Sequence, residues 1–253
     1  MISGYGSGRA WSERHRGEKE KGMRRVLLKL SGEALAGEQK KGFDEPTVVA
    51  VAKQVKTLVD ESVQIGIVIG GGNFWRGRSS ENINRCKADQ IGMLATVMNC
   101  IYVSEIFRSV GIQTDILTPF ACGGFTSLYS LDRAMEDLNR GIVTFFAGGT
   151  GHPYFSTDTA TVLRAIEIEA DEILLAKSID GVYDKDPHDF PDAKKYDEVS
   201  IQEVIDLNLK VVDMTASILS RDNKMPMLVF SLNEENSIVN AARGVINGTR
   251  VTV

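Results

Sequence analysis

Apolar residues along the chain fall into short unbroken runs that alternate with stretches of helical spacing. Val26-Leu27-Leu28-Lys29-Leu30 reads as a buried strand, stopped at Ser31-Gly32. From Pro46 to Val59, the positions Val48, Val51, Val55, Leu58 and Val59 repeat on one helix face, and Pro46 suits a first turn. Ile65 to Ile69 is a β-branched run that ends in three glycines. The same reading gives a long helix from Asp89 to Val110, a strand from Ile112 to Leu117 and a helix from Leu128 to Asn139. It continues with a strand at Ile142–Phe146, a helix at Thr157–Ala170 and a strand at Glu172–Ala176. Helices over Ile201–Asn208 and Asp213–Asn223, a strand at Leu228–Ser231, a helix at Ser237–Ala242 and a strand at Arg250–Val253 complete the series. Wholly apolar strands separated by helices predict an α/β fold, a largely parallel sheet covered on both faces.

Composition narrows the function more than the fold. At 253 residues, with 43% apolar and 25% charged residues, the chain has ordinary globular usage, which argues against disorder and coiled coil. No apolar run approaches the roughly 20 residues that span a bilayer. The cysteines Cys86, Cys100 and Cys122 lack CxxC spacing and are odd in number, so a disulfide framework and a zinc cluster are both unexpected and a reducing cytoplasm is the default. Residues 1–25 carry seven Lys/Arg against three Glu, a net +4 within a total of −5, so the remainder carries −9. That opening segment has no apolar signal region; residues 1–22 read as a leader or tag ahead of Met23 rather than a nucleic-acid or targeting arm, and 23–253 as one domain. An acidic chain must hold any phosphate with local groups, not with a global basic field.

In such sheets ligands bind beyond the carboxyl ends of the strands, so the chemistry belongs where strands end in glycine. Three places qualify. In Lys29-Leu30-Ser31-Gly32, alternation turns Lys29 away from the face of Leu28 and Leu30; its ammonium suits a phosphoryl group, or only a solvated sheet edge. In Gly70-Gly71-Gly72-Asn73-Phe74-Trp75-Arg76-Gly77 the glycines permit an amide nest and Arg76 offers a fork of donors, or the stretch is a plain turn. It is neither a Walker loop nor GxGxxG, and the nearest Walker-like spacing, Gly37 to Gly42, lacks the lysine. In Gly148-Gly149-Thr150-Gly151-His152-Pro153-Tyr154-Phe155-Ser156-Thr157-Asp158, hydroxyls gather at a helix N-terminus, which favours anions. Asp158 there either caps the helix or organises nearby lysines, and His152 shapes the loop before its proline. Asp89 suits a sugar hydroxyl or a first-turn acid, while Met93 and Met98 read as core. The stretch from Lys177 to Pro187 has turn chemistry throughout and could hold a purine at Tyr183.

In order, KLSGEAL (29–35), IGGGNFWRG (69–77), ADQIGMLATVMN (88–99), GTGHPYFSTD (149–158), EIEAD (167–171) and DGVYDKDP (180–187) closely resemble the bacterial UMP kinases of the amino-acid-kinase family, over residues 24–253. The resemblance implies a three-layer αβα fold and reversible transfer of the ATP γ-phosphoryl group to UMP, with Mg2+ accompanying ATP. It also implies a cytoplasmic homo-oligomer, a hexamer, activated by GTP and inhibited by UTP, with no need for membrane or nucleic acid. Matched motif by motif, Lys29, Leu30, Ser31, Gly32, Gly72 and Arg76 would contact ATP phosphates, with Lys177, Tyr183 and Asp186 on its adenosine side. Gly71, Asp89 and the run Thr150, Gly151, His152, Pro153, Tyr154, Phe155, Ser156 and Thr157 would bind UMP. Gly37, Glu38, Gln39, Lys40, Lys41 and Gly42 match the segment associated with GTP activation. The chain departs from the family at His152, often Asn, at AKSIDG after the Glu172–Ala176 strand, and over residues 119–128, where nothing is carried over.

Phosphoryl transfer needs positioning and charge neutralisation more than covalent help from the protein. The acceptor would be an anionic phosphate oxygen, so no general base is required. Lys29 and Arg76 would balance the charge, the Gly70–Gly72 amides would align the reactants, and Asp158 would orient the cations; these three side chains are the catalytic candidates. Two rival readings are a kinase of the same fold acting on a carboxylate or carbamate, and a non-catalytic nucleotide sensor or storage protein.

Overall fold

The computed structural model describes residues 23–39, 41–75, 82–245 and 247–253. Residues 1–22, read above as a leader or tag, lie outside the described residues, as do Lys40 and Arg76.

Nine strands form one sheet. In chain order they are β1 (Arg25–Leu30), β2 (Gln64–Ile69), β3 (Thr114–Thr118), β4 (Ser127–Leu128), β5 (Val143–Phe146), β6 (Glu172–Lys177), β9 (Glu198–Ser200), β10 (Met227–Ser231) and β11 (Gly248–Thr252). The spatial order is β4-β3-β5-β2-β1-β6-β10-β11-β9, and every neighbouring pair is parallel except β10 with β11. A hairpin of β7 (Val182–Tyr183) and β8 (Lys195–Tyr196) stands apart.

Strand alternation sorts the side chains into two cores. Val26, Leu28 and Leu30 of β1 pack with α2 (Glu45–Asp60), α3 (Arg85–Ser109) and α8 (Ser237–Ala242). Leu27 faces the other way, with α4 (Leu131–Asn139), α5 (Thr157–Glu167), α6 (Ile201–Asp206) and α7 (Met214–Asp222). The result is the three-layer αβα sandwich expected from sequence. β1 lies between β2 and β6 and is buried along its whole length, which places its carboxyl end in the middle of the sheet rim.

The differences from the sequence reading have local causes. α3 begins four residues before Asp89, because Asn84 Oδ1 accepts the Cys86 amide at 3.0 Å and caps the helix. Asp89 is therefore not a first-turn acid. Leu128 pairs with β3 rather than starting a helix, and α4 starts at Leu131 behind the Ser130 cap. The helix expected to run to Ala170 stops at Glu167, and Glu169 takes a left-handed backbone at φ 52°. Asp213 caps α7 instead of opening it, its side chain accepting the Ala216 amide at 3.0 Å. Met93 and Met98 are not core residues: Met93 lines a cavity and Met98 is exposed. Although no unbroken apolar run spans it, α3 is long and apolar enough to cross a bilayer by length and composition, yet half of that stretch is buried inside the protein.

Candidate active site

The carboxyl ends of β1, β2 and β5 meet at one rim, and two glycine bends are fastened there. The Gly70 amide donates to the Leu30 carbonyl at 2.9 Å, which joins the triple-glycine bend to the end of β1. Gly32 admits no side chain, since a Cβ would land on Asn73 Oδ1 and the Gly70 carbonyl. Ser31 is spent locally: its Oγ accepts the Ala34 amide at 3.0 Å and caps α1 (Gly32–Leu35). Because the Gly70 amide is also engaged, only the Gly71 and Gly72 amides of the expected aligning set remain candidates for a ligand.

α3 anchors both bends from its inner face. The Asn99 side chain donates to the Gly70 carbonyl at 2.7 Å and to Asn73 Oδ1 at 2.8 Å, with both asparagines buried. One helical turn earlier, Thr96 Oγ1 accepts the Gly148 amide at 2.8 Å. Two turns before that, Asp89 accepts the Tyr154 amide at 2.7 Å and the Arg85 guanidinium at 2.9 Å. The segment 119–128, which matched no family pattern, has a supporting place: Pro119 and Phe120 fill the space that side chains at Gly148 and Gly151 would occupy.

Between the bends and α3 lies a cavity of about 570 Å3. Of the residues expected at a nucleoside monophosphate, Gly71, Asp89, Thr150, Phe155, Ser156 and Thr157 line it. Gly151, His152, Pro153 and Tyr154 do not; His152 is exposed, with Nδ1 3.2 Å from the Thr150 carbonyl, and Tyr154 projects outward under the Arg85 guanidinium. Gly72, expected at ATP, also lines this cavity, beside Glu33 and Trp75, which motif reading did not single out.

Beside this cavity, Lys29 Nζ lies 3.0 Å from Asp158 Oδ1, with the two side chains only 10% and 24% exposed. Lys29 is brought there by β1 and Asp158 by the first turn of α5, whose cap is Ser156. Lys177, at the end of neighbouring β6, joins them electrostatically and also donates to the Val211 carbonyl. Burial, reinforced by the Lys29 ammonium, pushes Lys177 down to about 8 from 10.5, against the pull of Asp158. Lys177, expected on the adenosine side of ATP, interacts electrostatically with Lys29 and Asp158.

A second cavity, about 350 Å3, is lined by Ser178, Tyr183 and Asp186, and on its other wall by Leu207, Leu209 and Lys210. Tyr183 Oη donates to Asp180 at 2.7 Å, which fixes the ring. The loop Gly37–Gly42 reaches the first bend through Asn73, whose side chain donates to the Gly42 carbonyl at 2.8 Å.

Two acceptor groups went unnoticed in the sequence. Thr96 lies two turns along α3 from Asp89, a spacing that could have revealed it. Asp213 accepts the Ser156 hydroxyl and, at 3.0 Å, the Thr159 hydroxyl, across more than 50 residues of chain that no local pattern spans.

The amino acid kinase family model matches residues 24–231. The crystal structure of a UMP kinase from Bacillus anthracis is 34% identical to this chain and superposes with a TM-score of 0.87, covering 90% of this chain and 96% of that one. A UMP kinase structure from Ureaplasma parvum is 31% identical, also with a TM-score of 0.87, covering 91% of this chain and 99% of that one. On the family match and on full-length likeness above 30% identity, the chain belongs to the amino acid kinase family, among its UMP kinases.

Proposed function

We propose that this kinase transfers the γ-phosphoryl group of ATP to UMP, giving ADP and UDP in pyrimidine nucleotide synthesis. The observation that carries the reading is the Lys29–Asp158 pair, set at a rim where both glycine bends converge. The cavity lined by Asp89, Thr150 and Thr157 would take UMP, and the cavity at Tyr183 and Asp186 the adenosine of ATP. The Lys29 ammonium offsets charge building on the transferring group, and Lys177 adds to it while protonated. Asp158 keeps those two cations together and takes no proton, since the attacking phosphate oxygen has none to give up. Arg76 is proposed as a further phosphate ligand. Mg2+ arrives with ATP, where it lowers the charge on the phosphates; such an ion needs one or two carboxylates beside the phosphates, and Glu33 on the cavity wall is suited to accept its waters.

Incubation with ATP and Mg2+ against UMP, CMP, acetylglutamate and aspartate separates the readings. UDP and ADP should form with UMP as the preferred acceptor. A preference for a carboxylate acceptor, or UTP binding without turnover, would replace this assignment with one of its rivals.

The proposal extends to a cytoplasmic homohexamer, activated by GTP through the loop Gly37–Gly42 and inhibited by UTP. Ile91, Leu94, Met98 and Ile101 form an exposed apolar stripe on the outer face of α3, a contact of the kind subunits bury. Leu94, 54% exposed, lies within it. Leu94→Glu should therefore shift sedimentation velocity profiles from hexamer to smaller species. An unchanged profile would remove this face from the interface.

A further inference from the structure

The two cavities share a mechanical link, and it runs through one carboxylate. Leu207 to Lys210 form a wall of the cavity at Tyr183. The same strand of chain then takes the Lys177 ammonium on the Val211 carbonyl and reaches Asp213 at the start of α7. Asp213 accepts three donors: the Ala216 amide of its own helix at 3.0 Å, the Ser156 hydroxyl, and the Thr159 hydroxyl at 3.0 Å. Ser156 lines the first cavity and caps α5, accepting the amides of Asp158 and Thr159 at 3.0 and 3.1 Å. Charge-assisted hydrogen bonds to Asp213 thus join the chain that follows the 207–210 wall to the helix end that carries Thr157 and Asp158.

We infer that Asp213 is a positioning residue that couples occupancy of the donor cavity to the geometry of the acceptor cavity and of Asp158. This rests on the donor and acceptor assignment above. Filling the cavity at Tyr183 fixes the 207–210 wall, and Asp213 then holds the α5 end in the arrangement that receives the acceptor phosphate. Asparagine at 213 keeps the shape and an oxygen for the Ala216 cap, but turns an amide donor toward the Ser156 and Thr159 hydroxyls.

The test measures UMP binding by calorimetry with and without the β,γ-imido analogue of ATP, in wild type and Asp213→Asn, alongside kcat and KM. In wild type the analogue should tighten UMP by about fivefold or more, within the usual range of coupling between sites. In Asp213→Asn that ratio should fall to near one, and kcat should drop about tenfold or more, the scale of a lost hydrogen bond to a charged group. A purely structural role would weaken both ligands and leave the ratio intact. Should Asp213→Asn fail to fold, Thr159→Val, which retains both helix caps, should lower the ratio. Wild type without coupling, or variants with an unaltered ratio, would overturn the inference while UDP formation still supported the assigned reaction. Wild type that makes no UDP would remove the assignment and the inference together.

Discussion

Lys29→Ala is expected to lower kcat by at least about a hundredfold, roughly 2.7 kcal/mol, while UMP affinity changes only a few-fold. The size follows from where the ammonium sits. Lys29 is 8% exposed, lies within a strand paired on both sides, and is held 3.0 Å from Asp158. An ammonium in that setting is preorganised and little screened by water, so it acts where negative charge builds without first reorganising solvent. Its loss should show in the transition state more than in binding of the acceptor, because the lining of the 570 Å3 cavity does not include it. Lys29→Met, which restores most of the stem volume, should lose as much activity as alanine and retain more thermal stability. Turnover near normal in a folded Lys29→Ala protein would remove this residue from the chemistry.

The fold was legible where burial alone dictates structure. β1, β2, β6 and β10 are buried along nearly their whole length, so each announces itself as an apolar run. What escaped the pattern depends on partners distant in sequence. β7 and β8 are two residues each and exist by pairing with each other; three-residue β9 pairs with β11. Element boundaries moved where a single side chain set them, as Asn84 does for α3 and Ser130 for α4.

The candidate site divides along the same line. Lys29 and the glycine bends could be singled out because strand ends and glycine runs are local features. Their convergence at one rim followed from the placing of ligands beyond strand ends, but the use of the Gly70 amide by Leu30 and of the Ser31 hydroxyl by the α1 cap could not be seen. Lys177 shows the same limit: the resemblance placed it by motif on the adenosine side, and only the order of strands, with β6 beside β1, reveals that its charge also reaches Lys29. The resemblance to UMP kinases supplied roles by motif, and the packing shows which of those residues share a cavity.

Asp158→Asn should lower turnover at pH 7.5 by about a hundredfold, and unlike Lys29→Ala, part of that loss should be recoverable by lowering the pH. In wild type, Lys177 is held near 8 by burial and by Lys29, with Asp158 the group that draws it upward. Asparagine removes that upward pull but keeps the side-chain shape, so Lys177 should titrate lower than in wild type and carry less charge at pH 7.5. The wild-type rate should accordingly fall as pH rises through about 8, where Lys177 loses its proton. In Asp158→Asn the same descending limb should move to lower pH, so that the deficit against wild type narrows toward pH 6. Stability follows the opposite course in wild type. Lys177 is depressed from 10.5 in the open chain to about 8 when folded, so the burial cost is complete below 8 and stability rises between 8 and 10.5 as the unfolded chain alone keeps the proton. Rate profiles from pH 6 to 9 for the two proteins decide the matter: superimposable limbs would mean that Asp158 does not govern the charge on Lys177, and the carboxylate would then be left with its hold on Lys29 alone.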